Sequence, residues 1–333
     1  MALDLGTSTT QVYVRGSELV VTEPTVVAVD RRSNDVVEVG RTALFRIERE
    51  PGSLAEVWPM RNGCVADAEL AQRFIARVLR PSGGTFRDRL RVVAAVPAVA
   101  TPIERRIVRE AGKKAGAAEV RLIEHTMAAA LGADLPVHEP IGTMILDVGA
   151  GVIEAALISL GSVVASSSVR SGSGDVDVDI RSLLKRDYGM VVSDRTSEDI
   201  KLALAHAGGR EQFMIEARGQ VILDGSTITA ILERDEVQSV VHRHVEVCSE
   251  AVRATLVQAP PELAQDVITN GIHLVGGGAQ LDGLAEHLSE RFKIPVHLVD
   301  EPERVVVRGA GKCLEAMDRL RSLFVGESAQ ANA

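Results

Sequence analysis

Met144-Ile145-Leu146-Asp147-Val148-Gly149-Ala150-Gly151-Val152-Ile153-Glu154-Ala155-Ala156-Leu157 restates the pattern with which the chain opens, Ala2-Leu3-Asp4-Leu5-Gly6-Thr7-Ser8-Thr9-Thr10-Gln11-Val12. Each stretch reads as an apolar strand, an Asp, one apolar residue, a Gly-led run of small residues and a second strand. Period-two alternation broken by small turn residues is the mark of a β-hairpin. Asp-x-Gly twice can arise by chance. The same strand, turn and strand at the start of each half points instead to an internal duplication and two lobes.

Working outward, Val20 to Asp30 reads as a strand pair around Glu23-Pro24, and residues 31–66 are turn-rich. Apolar residues at helical spacing predict a helix from Asp67 to Leu79. Arg91–Val99 is an apolar run of strand length, of the kind found in strands covered on both faces. Thr101-Pro102-Ile103-Glu104 is a helix start, with an N-cap, Pro at the first turn and an acid behind it. That helix is expected to run to about Ala115, before a strand at Val120–Ile123 and a helix from Met127. In the second half the pattern predicts a strand at Val163–Val169, helices over about 176–188 and 197–207, and a strand–turn–strand insert at 211–228. A long helix over 235–257 is broken by Pro260-Pro261, and a strand at His273–Val275 runs into Gly276-Gly277-Gly278 and a helix to about Phe292. A last helix is expected over Arg308–Leu323. Strands alternating with helices define an α/β class with a largely buried mixed sheet. The expected domains are a first lobe at 1–140 with a small subdomain near 26–66, and a second at 141–308 with one near 176–254. A helix at 309–323 packs back on the first lobe, and 324–333 forms a flexible tail.

Composition narrows the function classes. With 333 residues, 37 Lys+Arg and 46 Asp+Glu, the formal charge is -9, which disfavours the basic stripes that non-specific nucleic-acid binding requires. Hydrophobic residues at 46% and charged residues at 25% exclude wholesale disorder, and aromatics at 3% make the core aliphatic. Cys64, Cys248 and Cys313 are odd in number and show no CxxC spacing, which argues against a disulfide framework or structural zinc. No signal peptide or spanning apolar run is legible, so a soluble cytoplasmic protein is expected.

The chemistry-bearing residues cluster in the two turns. A tight turn between strands presents backbone N–H groups that can cradle phosphate oxygens. Thr7, Ser8, Thr9 and Thr10 add hydroxyl donors. Asp4 and Asp147, repelled by phosphate itself, would hold Mg²⁺ through water, since Mg²⁺ favours one or two carboxylates beside phosphates. One such hairpin would be only a turn carboxylate; two facing each other suggest a nucleotide clamp. Gly276-Gly277-Gly278, after a buried strand and before a helix, allows close backbone approach to a ligand. Glu198 and Lys201 are an i, i+3 pair that alone reads as a surface ion pair.

On these residues the chain resembles the actin-like ATPase superfamily, and within it the bacterial MreB/Mbl cell-shape proteins. Leu3–Thr7 is similar to the first phosphate motif of that family, Asp147–Glu154 to the second and Leu274–Leu281 to the adenosine motif. Glu23–Ala28, Pro59–Gly63, Glu104–Arg106, Met127–Ala130, Ser167–Arg170 and Pro260–Ala264 sit where the family has similar words. The resemblance covers residues 1–323 and implies a two-lobe actin-like ATPase fold with nucleotide in the interlobe cleft. It implies ATP and Mg²⁺ as cofactors, with Gly6, Thr7, Ser8, Thr9, Gly149, Ala150 and Gly151 on the phosphates. Gly276, Gly277 and Gly278 would approach the adenosine, with Glu198 on the ribose and Lys201 near the base. It also implies filaments of the chain with itself, and partners among other MreB-like and cell-wall morphogenesis proteins.

Two departures stand out. In Leu122-Ile123-Glu124-His125-Thr126-Met127, the family normally has Glu-Glu-Pro before the Met, and the second Glu positions the attacking water; here that place is His125. In the second phosphate motif Ala150 replaces a Gly and Val152 a Thr hydroxyl. A carboxylate accepts the water's hydrogen bond, whereas a protonated imidazole accepts none. Losing a positioned base costs roughly 10²–10⁴-fold in rate. ATP is therefore expected to bind and to be hydrolysed slowly or not at all, unless Glu124 or another residue substitutes. The resemblance implies one of two membrane anchors, an N-terminal amphipathic helix, which a chain opening directly in its first strand is expected to lack, or a loop, here Arg80–Leu90. Phe86 could enter lipid with Arg80, Arg87 and Arg89 on anionic headgroups, although solvated loop charge is the plainer reading. Two other classes share the superfold: a non-polymerising, nucleotide-gated module of the chaperone type, and a small-molecule kinase, for which no acidic base is evident.

Overall fold

The computed structural model describes residues 1–16, 20–80, 90–205 and 214–326. The first lobe opens on the expected hairpin, β1 (Ala2–Leu5) and β2 (Thr9–Tyr13), paired antiparallel with Asp4 opposite Gln11. β3 (Val20–Pro24) pairs with β2, but the next strand leaves for another sheet. The expected strand pair at Val20–Asp30 is thus a corner rather than a hairpin. Thr25 makes the turn: its hydroxyl lies 2.8 Å from that of Thr10 and donates to the Gly6 carbonyl at 2.9 Å. The small subdomain beyond the corner holds β4 (Val27–Asp30), β5 (Val36–Val39), α1 (Gly40–Arg49) and β6 (Leu54–Val57). The chain returns through the short pair β7 (Met60–Arg61) and β8 (Cys64–Val65).

Then come α2 (Ala68–Val78), β9 (Arg91–Val96), α3 (Pro102–Lys114), β10 (Glu119–Glu124) and α4 (His125–Gly132). Asp67 caps α2, and Thr101 with Glu104 closes a reciprocal capping box on α3, which satisfies orphan N–H groups at each start. The sheet order is β10-β9-β1-β2-β3.

The second lobe repeats this plan. β11 (Thr143–Val148), β12 (Ile153–Ser159) and β13 (Ser162–Val169) form its antiparallel half. α5 (Ser173–Asp187), β14 (Met190–Val191), α6 (Asp194–Ala205), β15 (Met214–Val221) and β16 (Thr227–Glu233) carry its small subdomain. α7 (Arg234–Gln258) and α8 (Pro261–Asn270) lead to β17 (Ile272–Val275). A 3₁₀ turn (Gly277–Gln280), α9 (Leu284–Phe292), β18 (Val296–Leu298) and α10 (Val305–Glu315) follow. The order β13-β12-β11-β17-β18 mirrors the first sheet: an antiparallel half on one side of the Asp-bearing strand and parallel strands on the other.

A shared aliphatic core joins the lobes, drawing Ala2, Val93 and Ile123 from one sheet, Ile145, Ala156 and Ile158 from the other, and α4 and α10 between them. α4 and α10 cross where Gly132 meets the Val305 carbonyl and Gly309 meets the Ala128 carbonyl; a Cβ on either glycine would collide with backbone.

Two terminal expectations are corrected. The last helix spans 305–315 rather than 308–323. Phe324, placed above in a flexible tail, is 2% exposed and bridges to Ile123, while the Val325 N–H donates to Leu122 O at 2.8 Å. The helix stops because the chain must turn back to add these residues to the β10 edge. Residues 327–333 of the tail and 81–89 of the loop considered for membrane contact lie outside the described residues. Among the described residues no helix is long and apolar enough to cross a membrane.

Candidate functional site

The two hairpin turns face each other across a cavity of ≈ 360 Å³ between the lobes. The same bond closes each turn: Gly6 N–H donates to Thr9 O at 3.1 Å, and Gly149 N–H to Val152 O at 2.9 Å. Gly151 of the second turn lies against the first: a side chain there would meet Thr7 Oγ1 and, beside it, the backbone of Asn62. Thr7 Oγ1 accepts the Gly63 N–H at 2.9 Å, so the small subdomain braces the first turn. Val152 packs its methyl on Gly63.

The second turn is gripped from behind by α5. Ser173 and Gly174 donate their N–H groups to the carbonyls of Gly149 and Ala150, each at 2.9 Å, and Gly172 has no room for a Cβ against Ala150. These bonds start α5 at Ser173, three residues before the sequence pattern does.

Of the residues proposed from sequence, Asp4, Gly6, Thr7, Ser8, Thr9, His125, Asp147, Gly149, Ala150, Gly151, Glu198, Lys201, Gly276 and Gly277 all line this cavity. Gly278 does not line it. A Cβ there would strike Val148 and come hard against Ser173, so its glycine serves packing. Gly276, at φ +87°, lies under Asp147 because Val275 and Asp147 are partners in the parallel β11/β17 ladder. Gly277 alone of the three is open. Lys201 is not paired with Glu198; its Nζ donates to Asp177 Oδ2 at 2.7 Å and to Ser173 O at 3.2 Å, tying α6 to α5. Burial holds the Asp177 carboxyl above its usual range despite that lysine.

The cavity floor is an acidic cluster that spans both lobes. His125 begins α4 straight after β10, which sets its imidazole between the two aspartates. Nε2 lies 3.3 Å from Asp4 Oδ1, and Nδ1 lies 3.9 Å from Asp147 Oδ2 and 3.7 Å from Glu154 Oε2. The side chains of His125 and Glu154 are 12% and 1% exposed. Burial alone would strip the imidazole of its proton, but the carboxylates of Asp4, Glu154 and Asp147 outweigh it and raise the His125 pKa to about 9. Burial likewise lifts Asp147 to about 7, against the opposing pull of His125, and pushes Glu154 upward. A charged imidazole donates and cannot accept a hydrogen bond from water.

Glu154, Gln11, Asp177 and Glu303 also line the cavity and were not singled out from sequence. Glu154 was legible in the hairpin register, since it stands opposite Asp147 as Gln11 stands opposite Asp4. Asp4 Oδ1 is buried and, among the described residues, has His125 Nε2 at 3.3 Å as its ion-pair partner; with Asp147 opposite, the two carboxylates fit a hydrated divalent cation such as Mg²⁺.

Paired lobes of duplicated topology, with facing Asp-tipped turns in the cleft, define an actin-like protein. Solved structures agree: MreB5 of Spiroplasma citri bound to AMPPNP matches with a TM-score of 0.88 at 27% identity over 96% of each chain. The MamK double helical filament matches in fold, with a TM-score of 0.77 at 18% identity over 94% of this chain and 97% of that one. The profile of the family described as MreB/Mbl protein matches residues 1–322. The cell shape-determining protein MreB of Escherichia coli (strain K12) is 40% identical over 325 residues, 96% of this chain and 94% of that protein. The corresponding figures for Mbl of Bacillus subtilis (strain 168) are 33% over 324 residues, 96% and 97%. The chain belongs to the MreB/Mbl family.

Proposed function

We propose that this chain is a cell-shape protein of the bacterial actin type, which binds ATP with Mg²⁺ in the interlobe cleft, assembles with itself into filaments and turns ATP over slowly. The observation that carries the reading is the pair of facing, identically bonded turns around one cavity, with Asp4 and Asp147 at its floor. The AMPPNP bound to the related MreB5 supports the choice of nucleotide.

In this reading the turns Gly6–Thr9 and Gly149–Gly151 cradle the phosphates, and Asp4 and Asp147 hold Mg²⁺ through water. The cation would neutralise phosphate charge. Gly276 and Gly277 pass the adenosine, Glu198 takes the ribose, and Lys201, tethered by Asp177, borders the base. His125 occupies the slot of the water-positioning carboxylate; as an imidazolium it orients no attacking water. Val152 supplies a methyl where a hydroxyl would help. Self-assembly is supported by exposed apolar residues on the small subdomain of the second lobe, with Leu223 95% and Met214 68% exposed. The expected setting is the cytoplasm at the inner membrane face, beside other MreB-like and cell-wall morphogenesis proteins.

Calorimetry with ATP, with and without Mg²⁺, followed by sedimentation, tests the reading. Heat on binding and an ATP-dependent pellet are expected. Binding without a pellet would favour the non-polymerising module, and no heat with any nucleotide would overturn the reading.

A further inference from the structure

We propose that His125, Asp147 and Glu154 form a direct site for a borderline divalent transition metal of the Zn²⁺ class, with water completing a tetrahedral shell and no nucleotide required. Among the described residues, this is the group that brings one ligand atom from each of three such side chains within 4.8 Å of one another. The Nδ1 to Oε2 and Nδ1 to Oδ2 separations are 3.7 and 3.9 Å. A tetrahedral Zn²⁺ with ligands at ~2.1 Å holds its donors about 3.4 Å apart, so small side-chain shifts close the site.

Three further observations point to a cation. Glu154 is 1% exposed and its Oε2 has no hydrogen-bond partner among the described residues, although Oε1 is held by the Ala98 N–H at 2.8 Å and Ser168 Oγ at 2.9 Å. The orienting bonds therefore leave one oxygen free to ligate. Asp4 Oδ1 stands 3.3 Å from Nε2, where a carboxylate takes the second N–H of a metal-bound imidazole and fixes its tautomer. Charge agrees: Asp4, Asp147 and Glu154 surround one imidazole, and the basic side chain lining the cavity, Lys201, is already bound to Asp177. On binding, the Nδ1 lone pair forms the dative bond, the imidazole's extra proton passes to solvent, and nothing is oxidised or reduced. A nitrogen donor selects against Mg²⁺, which prefers oxygen ligands and keeps its waters. The two sites share Asp147 and differ in their other groups, so direct Zn²⁺ and water-mediated Mg²⁺ are alternative occupants, and the Zn²⁺ site does not rest on ATP binding.

The test titrates the EDTA-stripped, nucleotide-free full chain with Zn²⁺ by calorimetry, and with Co²⁺ by visible absorption. One site per chain is expected, with d–d bands of low-coordinate Co²⁺ and no displacement by about 100-fold excess Mg²⁺. His125→Gln and Glu154→Gln should each weaken Zn²⁺ by about tenfold or more. His287→Gln should not, although His242, His287 and Glu246 form a surface pair of rings beside a carboxylate that could bind zinc adventitiously. Unchanged affinity in His125→Gln, loss in His287→Gln, or ready displacement by Mg²⁺ would each overturn the proposal. The wild-type Co²⁺ spectrum decides even if a variant fails to fold: absence of the bands overturns it. Because no nucleotide is present, failure here leaves the ATP reading to its own calorimetry.

Discussion

In the proposed reading, His125 is the residue at which the chemistry turns. If its charge disables water positioning, His125→Glu should raise single-turnover phosphate release with Mg²⁺·ATP by roughly 10²-fold or more. Release that stays flat would put the obstacle at Val152, which His125→Glu leaves in place. A second histidine gives a pH test. His244 in α7 is buried, and burial holds its pKa below 6.5, with Asp175 and Asp179 of α5 pulling it up and Lys201 of α6 pushing it down. The folded chain keeps it neutral while the unfolded chain takes up a proton, so its share of stability is lost as pH falls below about 6.5. The melting temperature of His244→Leu should therefore fall less between pH 7 and 5 than that of wild type; parallel slopes would refute this.

At the scale of elements, the α4/α10 crossing locks the lobes together. Gly309→Ala or Gly132→Ala sets a methyl against the facing backbone carbonyl, and overpacking of this kind costs about 1–3 kcal/mol. Denaturant unfolding of Gly309→Ala should show that loss, and a midpoint equal to wild type would mean the helices part freely. Most elements were legible: apolar spacing marked α2, the Thr101 cap with Pro102 announced α3, and alternation marked the hairpins. The misread ends share one cause. α5 begins early because Ser173 and Gly174 bond the carbonyls of a turn more than twenty residues upstream, and α10 ends early because Phe324 is taken up at the β10 edge. Local propensity carries no record of either partner.

Over the whole molecule, the prediction concerns assembly. Leu223, at the β15–β16 hairpin, is almost wholly exposed on the small subdomain of the second lobe. An apolar tip of this kind suits burial against another copy. Leu223→Asp should leave the melting temperature within about 1 °C, because surface changes are nearly neutral in the monomer. It should also reduce the ATP-dependent pellet severalfold. An undiminished pellet would move the interface elsewhere.

The duplication, the α/β class and the Asp at the tip of each hairpin were determined by the sequence itself, since each is a matter of residue type or period; that His125 stands in the place of a catalytic Glu is what the family resemblance implies. Tertiary structure alone decided that Gly278 serves packing, that Lys201 answers to Asp177, and that Glu154 and Asp4 close on His125 from opposite lobes. Those facts depend on which strands become neighbours and how closely two lobes approach. That is set by the burial of the shared core, and no single stretch of chain contains it.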